Sequence, residues 1–325
     1  MSYDVINTQP HLCKEAMTIL ESIGCKLRAA NLEAASEDEI CQEIAAADAI
    51  MAGGECYTSK VFTAAKRLKI IARHGVGFDQ IDLEAGAAHG VWVTNTPGAT
   101  NKAVAEFTIG LMLSLLRHIH KLSADMKNGK FVRTQGEELG SLTVGVIGAG
   151  GIGKEVIRLL RAFGAQAIAY DIHPDREFAD QWEVDYLPLD ELLQQADMVS
   201  VHCALDESTQ GLVGASQLKQ MKPSAYLVNT ARPQIVDMAA LTECLIEGGI
   251  AGAAIDVWET IPISTEDPLL KLDNLLATSW SAFYTGQAVN TMGRTAAEEI
   301  VRVLQGAPPL HPVNSPIKSH TTSAN

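Results

Sequence analysis

The residues with the clearest chemistry are four glycines, Gly148, Gly150, Gly151 and Gly153, which with Ile152 spell G-x-G-x-x-G. They follow the apolar run Val144 to Ile147 directly and precede an amphipathic stretch from Lys154 to Phe163. A strand, a tight glycine turn and a helix in this order let the backbone approach a pyrophosphate and set that anion at the positive end of the helix dipole. Asp171 closes the next apolar run, 18 residues beyond Gly153. A carboxylate there hydrogen-bonds the adenosine ribose hydroxyls and repels a 2′-phosphate, so the expected cofactor is NAD rather than NADP.

The elements that must position these groups come in two series. From Tyr3 to about Val93, short apolar runs (Ala49 to Met51, Ile70 to Ala72, Val91 to Val93) alternate with helical patterns such as Leu12 to Ile23, the punctuation of βαβ units. Residues 100–120 read as one long helix, apolar enough from Phe107 to Leu116 to be buried. A second series starts at Leu142, with strands expected near 144–147, 167–170, 198–202, 226–229 and 252–257. A last helix is expected over 286–304, and the polar tail 315–325 is expected to be disordered.

Composition narrows the function. The 325 residues are 47% hydrophobic, enough for a large core and two domains, and carry a formal charge of -14 with no basic stripe to follow a phosphate backbone. Nucleic acid is not an expected partner. The opening Met1-Ser2-Tyr3-Asp4 lacks a signal-peptide pattern and no apolar run approaches the roughly 20 residues of a membrane span, so no membrane partner and a cytoplasmic location are expected. Six scattered cysteines form no C-x-x-C pair; free thiols and no metal centre are the expectation.

Several further motifs occur in order: Arg73-His74-Gly75-Val76-Gly77-Phe78-Asp79, Asn95-Thr96-Pro97-Gly98, Val104-Ala105-Glu106, Val201-His202-Cys203, Met221-Lys222-Pro223, Val228-Asn229-Thr230-Ala231-Arg232 and Ala253-Ala254-Ile255-Asp256-Val257. With the glycine motif, they make the chain resemble the D-isomer-specific 2-hydroxyacid dehydrogenases over nearly its whole length. The resemblance implies an α/β protein of two Rossmann-like domains with doubly wound parallel sheets and an active-site cleft between them. Residues 1–101 plus 288–325 would bind substrate and residues 102–287 would bind NAD, in a homodimer formed largely through the NAD domains. It implies that the amides of Val76 and Gly77, in the loop of His74 and Gly75, hold a small acid substrate by its carboxylate, and that Arg232 grips carboxylate and carbonyl oxygen. Thr230 and Asp256 would orient the nicotinamide end, with Cys203 and Ala231 also at the cofactor. The chemistry agrees, because a guanidinium fork suits a two-oxygen acid and the charge developing on a reduced carbonyl needs a fixed cation.

Several positions break the pattern. The family supports a proton-donating histidine with a glutamate, yet Ile261 stands where the glutamate precedes a proline, and Thr278-Ser279-Trp280 stands for Thr-Pro-His. The usual Arg-Gly is Arg232-Pro233. An indole donates a hydrogen bond but shuttles no proton near neutral pH; Trp280 either stacks on substrate or nicotinamide or fills the histidine's space. Replacement proton donors to consider are Glu259, His74, Lys102 and Tyr284, each with a plainer reading as a surface or structural group, and His202 reads as structural. The loop of Gly53, Gly54, Glu55 and Cys56 has no arginine for a phosphate, which disfavours 3-phosphoglycerate; Glu55 would face a neutral or cationic part of the substrate. The expectation is therefore an NAD-dependent oxidoreductase for a small 2-hydroxy or 2-oxo acid with an atypical acid/base. The alternatives are a non-catalytic NAD(H)-binding sensor or interaction protein, or a different NAD-assisted chemistry.

Overall fold

The structure is a computed structural model that describes residues 2–10, 12–32 and 34–316. Of the polar tail, residues 317–325 lie outside the described residues. The chain divides into two compact units, Met1–Thr100 with Thr285–Asn325, and Asn101–Tyr284.

The first unit runs β1 (Tyr3–Asn7), α1 (Lys14–Glu21), β2 (Cys25–Ala29), α2 (Glu37–Ile44), β3 (Ala49–Ala52), α3 (Ser59–Ala64), β4 (Ile70–Arg73), α4 (Leu83–Ala88) and β5 (Trp92–Thr94). Its five strands are parallel in the order β2-β1-β3-β4-β5. Alternate side chains feed two cores: Ile6, Ile50 and Ile71 meet the α2 and α3 side, and Val5, Met51 and Ile70 meet the helices on the other face. The sheet reverses its winding between β1 and β3, and such a switch point opens a crevice at the carboxyl ends of the strands.

The second unit runs α5 (Asn101–Leu116), α6 (Ile119–Lys127), β6 (Thr143–Ile147), α7 (Gly151–Ala162), β7 (Gln166–Tyr170), α8 (Arg176–Trp182), β8 (Asp185–Tyr186), α9 (Leu189–Gln195), β9 (Met198–Val201), α10 (Ala215–Leu218), β10 (Tyr226–Asn229), α11 (Met238–Ile246), β11 (Gly252–Ile255) and β12 (Leu275–Ala277). The seven parallel strands lie in the order β12-β11-β10-β9-β6-β7-β8, with the switch point between β6 and β9. Strands β9 and β11 are buried throughout, as a sheet covered on both faces requires. The chain then returns to the first unit as α12 (Gly286–Leu304), capped by Thr285, whose hydroxyl accepts from the Ala288 amide at 3.2 Å.

One expectation changes. The helix read over 100–120 ends at Leu116, because His118 takes a left-handed φ of 52° and a new helix begins at Ile119. The buried part behaves as read: Val104, Ile109, Met112 and Leu116 are buried, and α5 packs on α7. Beyond Leu116 the apolar pattern stops, and no buried residue remains in α6 to hold a continuous rod in place.

Candidate functional site

In the second unit, the candidate site residues other than Lys102, Glu259, Ile261 and Tyr284 follow the carboxyl ends of strands. The glycine turn follows β6, Asp171 follows β7, His202 and Cys203 follow β9, Thr230 to Arg232 follow β10, Asp256 follows β11 and Trp280 follows β12. In a parallel sheet these ends share one edge, so residues up to 132 positions apart in sequence come to one rim.

The glycine turn fits a dinucleotide. Gly148 has φ 90°, and a Cβ there would lie 2.3 Å from the backbone nitrogen of Cys203 across the switch point. A Cβ on Gly153 would lie 2.1 Å from the Gly148 carbonyl oxygen, so α7 could not pack so closely. Gly150, the N-cap of α7, has open space where a side chain would be, the cradle that a pyrophosphate needs at a helix start. Asp171 is fixed through both of its carboxylate oxygens. One accepts from the Ala149 amide at 2.7 Å and the other from the His173 amide at 2.8 Å. Each oxygen keeps a further acceptor site for a ribose hydroxyl.

The groups after β9 are not proton carriers. Burial pushes the Cys203 thiol up to about 12, with the charges of Asp206 and Asp171 adding to it, so it stays protonated. Burial lowers His202 to about 3; one ring nitrogen meets the Ser200 hydroxyl at 2.7 Å and the other has no partner.

Arg232 is positioned by its own turn. The Asn229 side chain accepts from the Ala231 amide at 3.0 Å and donates to the Arg232 carbonyl at 2.9 Å, and the Arg232 guanidinium donates to the Ala231 carbonyl at 2.8 Å. Pro233 is buried at the start of a 3-10 turn, Pro233–Ile235, and Arg232 is extended at φ -140°, ψ 141°, the conformation favoured before proline. The loss of the usual glycine is thereby accommodated. Thr230 is buried, its hydroxyl 3.1 Å from that of Thr108.

Asp256 has work the sequence did not reveal. Fully buried, it accepts from the Thr278 hydroxyl at 2.6 Å and from the Ser281 and Ala282 amides, each at 2.9 Å, while its carbonyl accepts from the Trp280 amide at 2.8 Å. Its carboxylate thus grips the turn 278–282. That grip holds Trp280 at φ 55°, rare for a bulky residue, with its ring under the Arg232 guanidinium at 6.0 Å.

The other proton-donor candidates, like Ile261, lie at the surface. Ile261 is 63% exposed, Glu259 is exposed and makes no hydrogen bond or ion pair among the described residues, Lys102 is exposed, and Tyr284 is exposed with Phe283 edge-on at 5.9 Å.

In the first unit the loop after β4 is pinned by the end of β5. The Thr96 amide donates to the Gly75 carbonyl at 3.0 Å and the Asn95 side chain to the Val76 carbonyl at 2.8 Å. The amides of Val76 and Gly77 donate to nothing among the described residues, which leaves two adjacent N–H groups for an anion. His74 is buried with neither ring nitrogen partnered, and burial, reinforced by the Arg73 charge, lowers it to about 4. It is uncharged at neutral pH. Glu55, in the loop after β3, is 6% exposed and accepts from the Tyr57 hydroxyl at 3.3 Å.

A family model described as D-isomer specific 2-hydroxyacid dehydrogenase, NAD binding domain, matches residues 109–282. The chain is 38% identical over 316 residues to the D-3-phosphoglycerate dehydrogenase of Methanocaldococcus jannaschii, covering 96% of this chain and 59% of that protein. It is 36% identical over 265 residues to the glyoxylate reductase of Korarchaeum cryptofilum, 80% of each chain. A crystal structure of a Thermus thermophilus protein superimposes with a TM-score of 0.88 at 31% identity, covering 95% of this chain and 99% of that one. The chain thus spans less than two thirds of the phosphoglycerate dehydrogenases it matches. Both the matched sequence and the strand order assign the second unit as the NAD-binding domain, and the chain belongs to the D-isomer specific 2-hydroxyacid dehydrogenase family.

Proposed function

We propose that the protein is an NAD-dependent oxidoreductase for small D-2-hydroxy and 2-oxo acids. Bound at the glycine turn, the nicotinamide cofactor supplies or accepts a hydride. The chain's own residues do the rest. In the first unit Val76 and Gly77 offer two free amides to an anion, and in the second Arg232 offers a fixed guanidinium to a carboxylate or to an oxygen that gains charge on reduction. The observation that carries the reading is the tethered Arg232, held by Asn229 and stacked on Trp280 at the rim that also carries the glycine turn.

The proton is drawn from solvent. His74 and His202 are both uncharged at neutral pH, and no histidine or paired carboxylate occupies the Trp280 and Ile261 positions. Steady oxidation of NADH with a panel of 2-oxo acids, followed at the nicotinamide absorbance, tests the assignment. Tight NADH binding with no turnover on a broad panel would replace it with the sensor reading.

The apolar residues Ile119, Met126, Phe131 and Val132 are 53%, 59%, 78% and 48% exposed on one stretch after α5. Large exposed apolar side chains so grouped support a homodimer joined there, checked by sedimentation of the full chain and of Phe131→Glu. The six cysteines are free thiols, which fits a reducing cytoplasmic location. Among the described residues no helix is long and apolar enough to cross a membrane.

A further inference from the structure

We propose that Glu55 makes this a site for 2-hydroxy acids whose far end carries a cation, an ammonium or a guanidinium. The proposal rests on the acid-oxidoreductase reading above and names the substrate class within it.

Glu55 is a buried carboxylate with too few partners. At 6% exposure its contacts amount to one long hydrogen bond, 3.3 Å from the Tyr57 hydroxyl to Oε2; Oε1 accepts none among the described residues. It makes no ion pair with a lysine or arginine among the described residues. The nearby Arg73 guanidinium donates to the carbonyl oxygens of Ala52 and His74. Tyr57 is fully buried, and burial together with the Glu55 charge holds its hydroxyl well above the ordinary tyrosine value, so it stays a neutral donor and cancels no charge. With one long hydrogen bond, the carboxylate keeps acceptor capacity for a cation or further donors.

Its place in the fold says that a ligand is the missing partner. Glu55 follows β3 beside the end of β1, at the switch point of the five-stranded sheet. The loop is shaped around it. A Cβ on Gly53 would lie 2.4 Å from Gln9 Nε2 and 2.7 Å from Glu55 Oε1, so a side chain there would displace the carboxylate, while the α-carbon of Gly54 faces open space. The free amides of Val76 and Gly77 follow β4, the neighbour of β3, on the same edge. Adjacent strands lie about 4.8 Å apart, so an acid held by those amides can lay its far end along the edge toward Glu55. A phosphate or second carboxylate at that end would meet a negative charge.

The test compares three six-carbon acids of D configuration that differ only at C6: 2-hydroxy-6-aminohexanoate, 2-hydroxyhexanoate and 2-hydroxyhexanedioate. With the full-length protein and NAD, kcat/KM for the amino acid should exceed that for the neutral acid by at least about tenfold, and the diacid should rank last. In Glu55→Gln the ratio of amino to neutral acid should fall to near one. A wild-type preference for the neutral or the anionic acid, or an unchanged ratio in Glu55→Gln, would overturn the proposal. If none of the three turns over and the broad panel of 2-oxo acids with NADH also fails, the oxidoreductase reading has failed. Calorimetric binding of the same acids to the protein with NADH then decides the charge question: preferential binding of the amino acid, lost in Glu55→Gln, sustains it, and equal binding of all three ends it.

Discussion

The guanidinium carbon of Arg232 lies 6.0 Å from the centre of the Trp280 ring, so the indole supports the group proposed to anchor the substrate. A cation over an indole gains roughly 0.5 to 2 kcal/mol according to its exposure. Trp280→Ala should therefore lower kcat/KM for an acid substrate by roughly 2- to 30-fold, and Trp280→Phe should recover part of the loss. Arg232→Lys should lose at least about 100-fold, because an ammonium cannot make two parallel bonds to a carboxylate. In the double mutant Arg232→Lys, Trp280→Ala the two losses should fall short of additive; full additivity would mean that the contact is idle.

Trp280 also carries backbone strain, at φ 55°. A non-glycine residue in that region costs about 1 to 2 kcal/mol, which glycine escapes. Urea unfolding should find Trp280→Gly more stable than Trp280→Ala by about 1 kcal/mol. The reverse order would show that the turn relaxes when the ring is removed.

Asp256 is the turn's fastener. In Asp256→Asn the amide NH2 must either face the Ala282 N–H or leave the Thr278 and Ser281 donors unmet. A loss of about 2 to 4 kcal/mol follows, with the fluorescence of Trp280 shifted toward that of an exposed indole. A native melting temperature and unchanged emission would refute this role.

Asp171 is expected to set cofactor choice. Pinned by the Ala149 and His173 amides, it cannot swing away from a 2′-phosphate without breaking both bonds. NADH should bind at least about tenfold more tightly than NADPH, about 1.4 kcal/mol, and Asp171→Ala should narrow the gap mainly by weakening NADH. Equal affinities in a direct titration would remove the assignment.

His74 ties stability to pH. Its folded value of about 4 lies below the 6.5 of an exposed histidine, so between those values the unfolded chain binds more protons than the folded one. Its contribution is complete above pH 6.5 and is lost as pH falls toward 4, by roughly 3 kcal/mol over the window. His202, at about 3, extends the trend to lower pH. The slope of unfolding free energy against pH from 6.5 to 4 should flatten in His74→Asn. By the same values the reduction rate should show no fall near pH 7 of the kind a histidine donor gives. Observing one would return a histidine to the mechanism.

Much of this protein is legible along the chain, because the signals are local. Gly148 to Gly153 lie between an apolar run and an amphipathic one, and strand, turn and helix form there for reasons contained within some twenty residues. The helix Gly286–Leu304 announces itself by its period and by the proline pair after it. Elsewhere local pattern was too weak: β8 has two residues and β12 three, and both exist because a sheet edge was there to pair with. The helix break at His118 likewise depends on where burial of α5 ends. The site's most specific features were decided by tertiary structure alone. Asp256 and Ala282 are 26 positions apart, and Arg232 and Trp280 are 48 apart; only the parallel sheet brings their strand ends to one rim. Glu55 reads in the sequence as a glycine-loop residue facing a neutral or cationic part of the substrate; that it is buried beside Tyr57 and short of partners follows from how β1, β3 and β4 end together. Periodicity reports which face of an element is apolar, whereas the partners of a buried charge are set by which strands the fold makes neighbours.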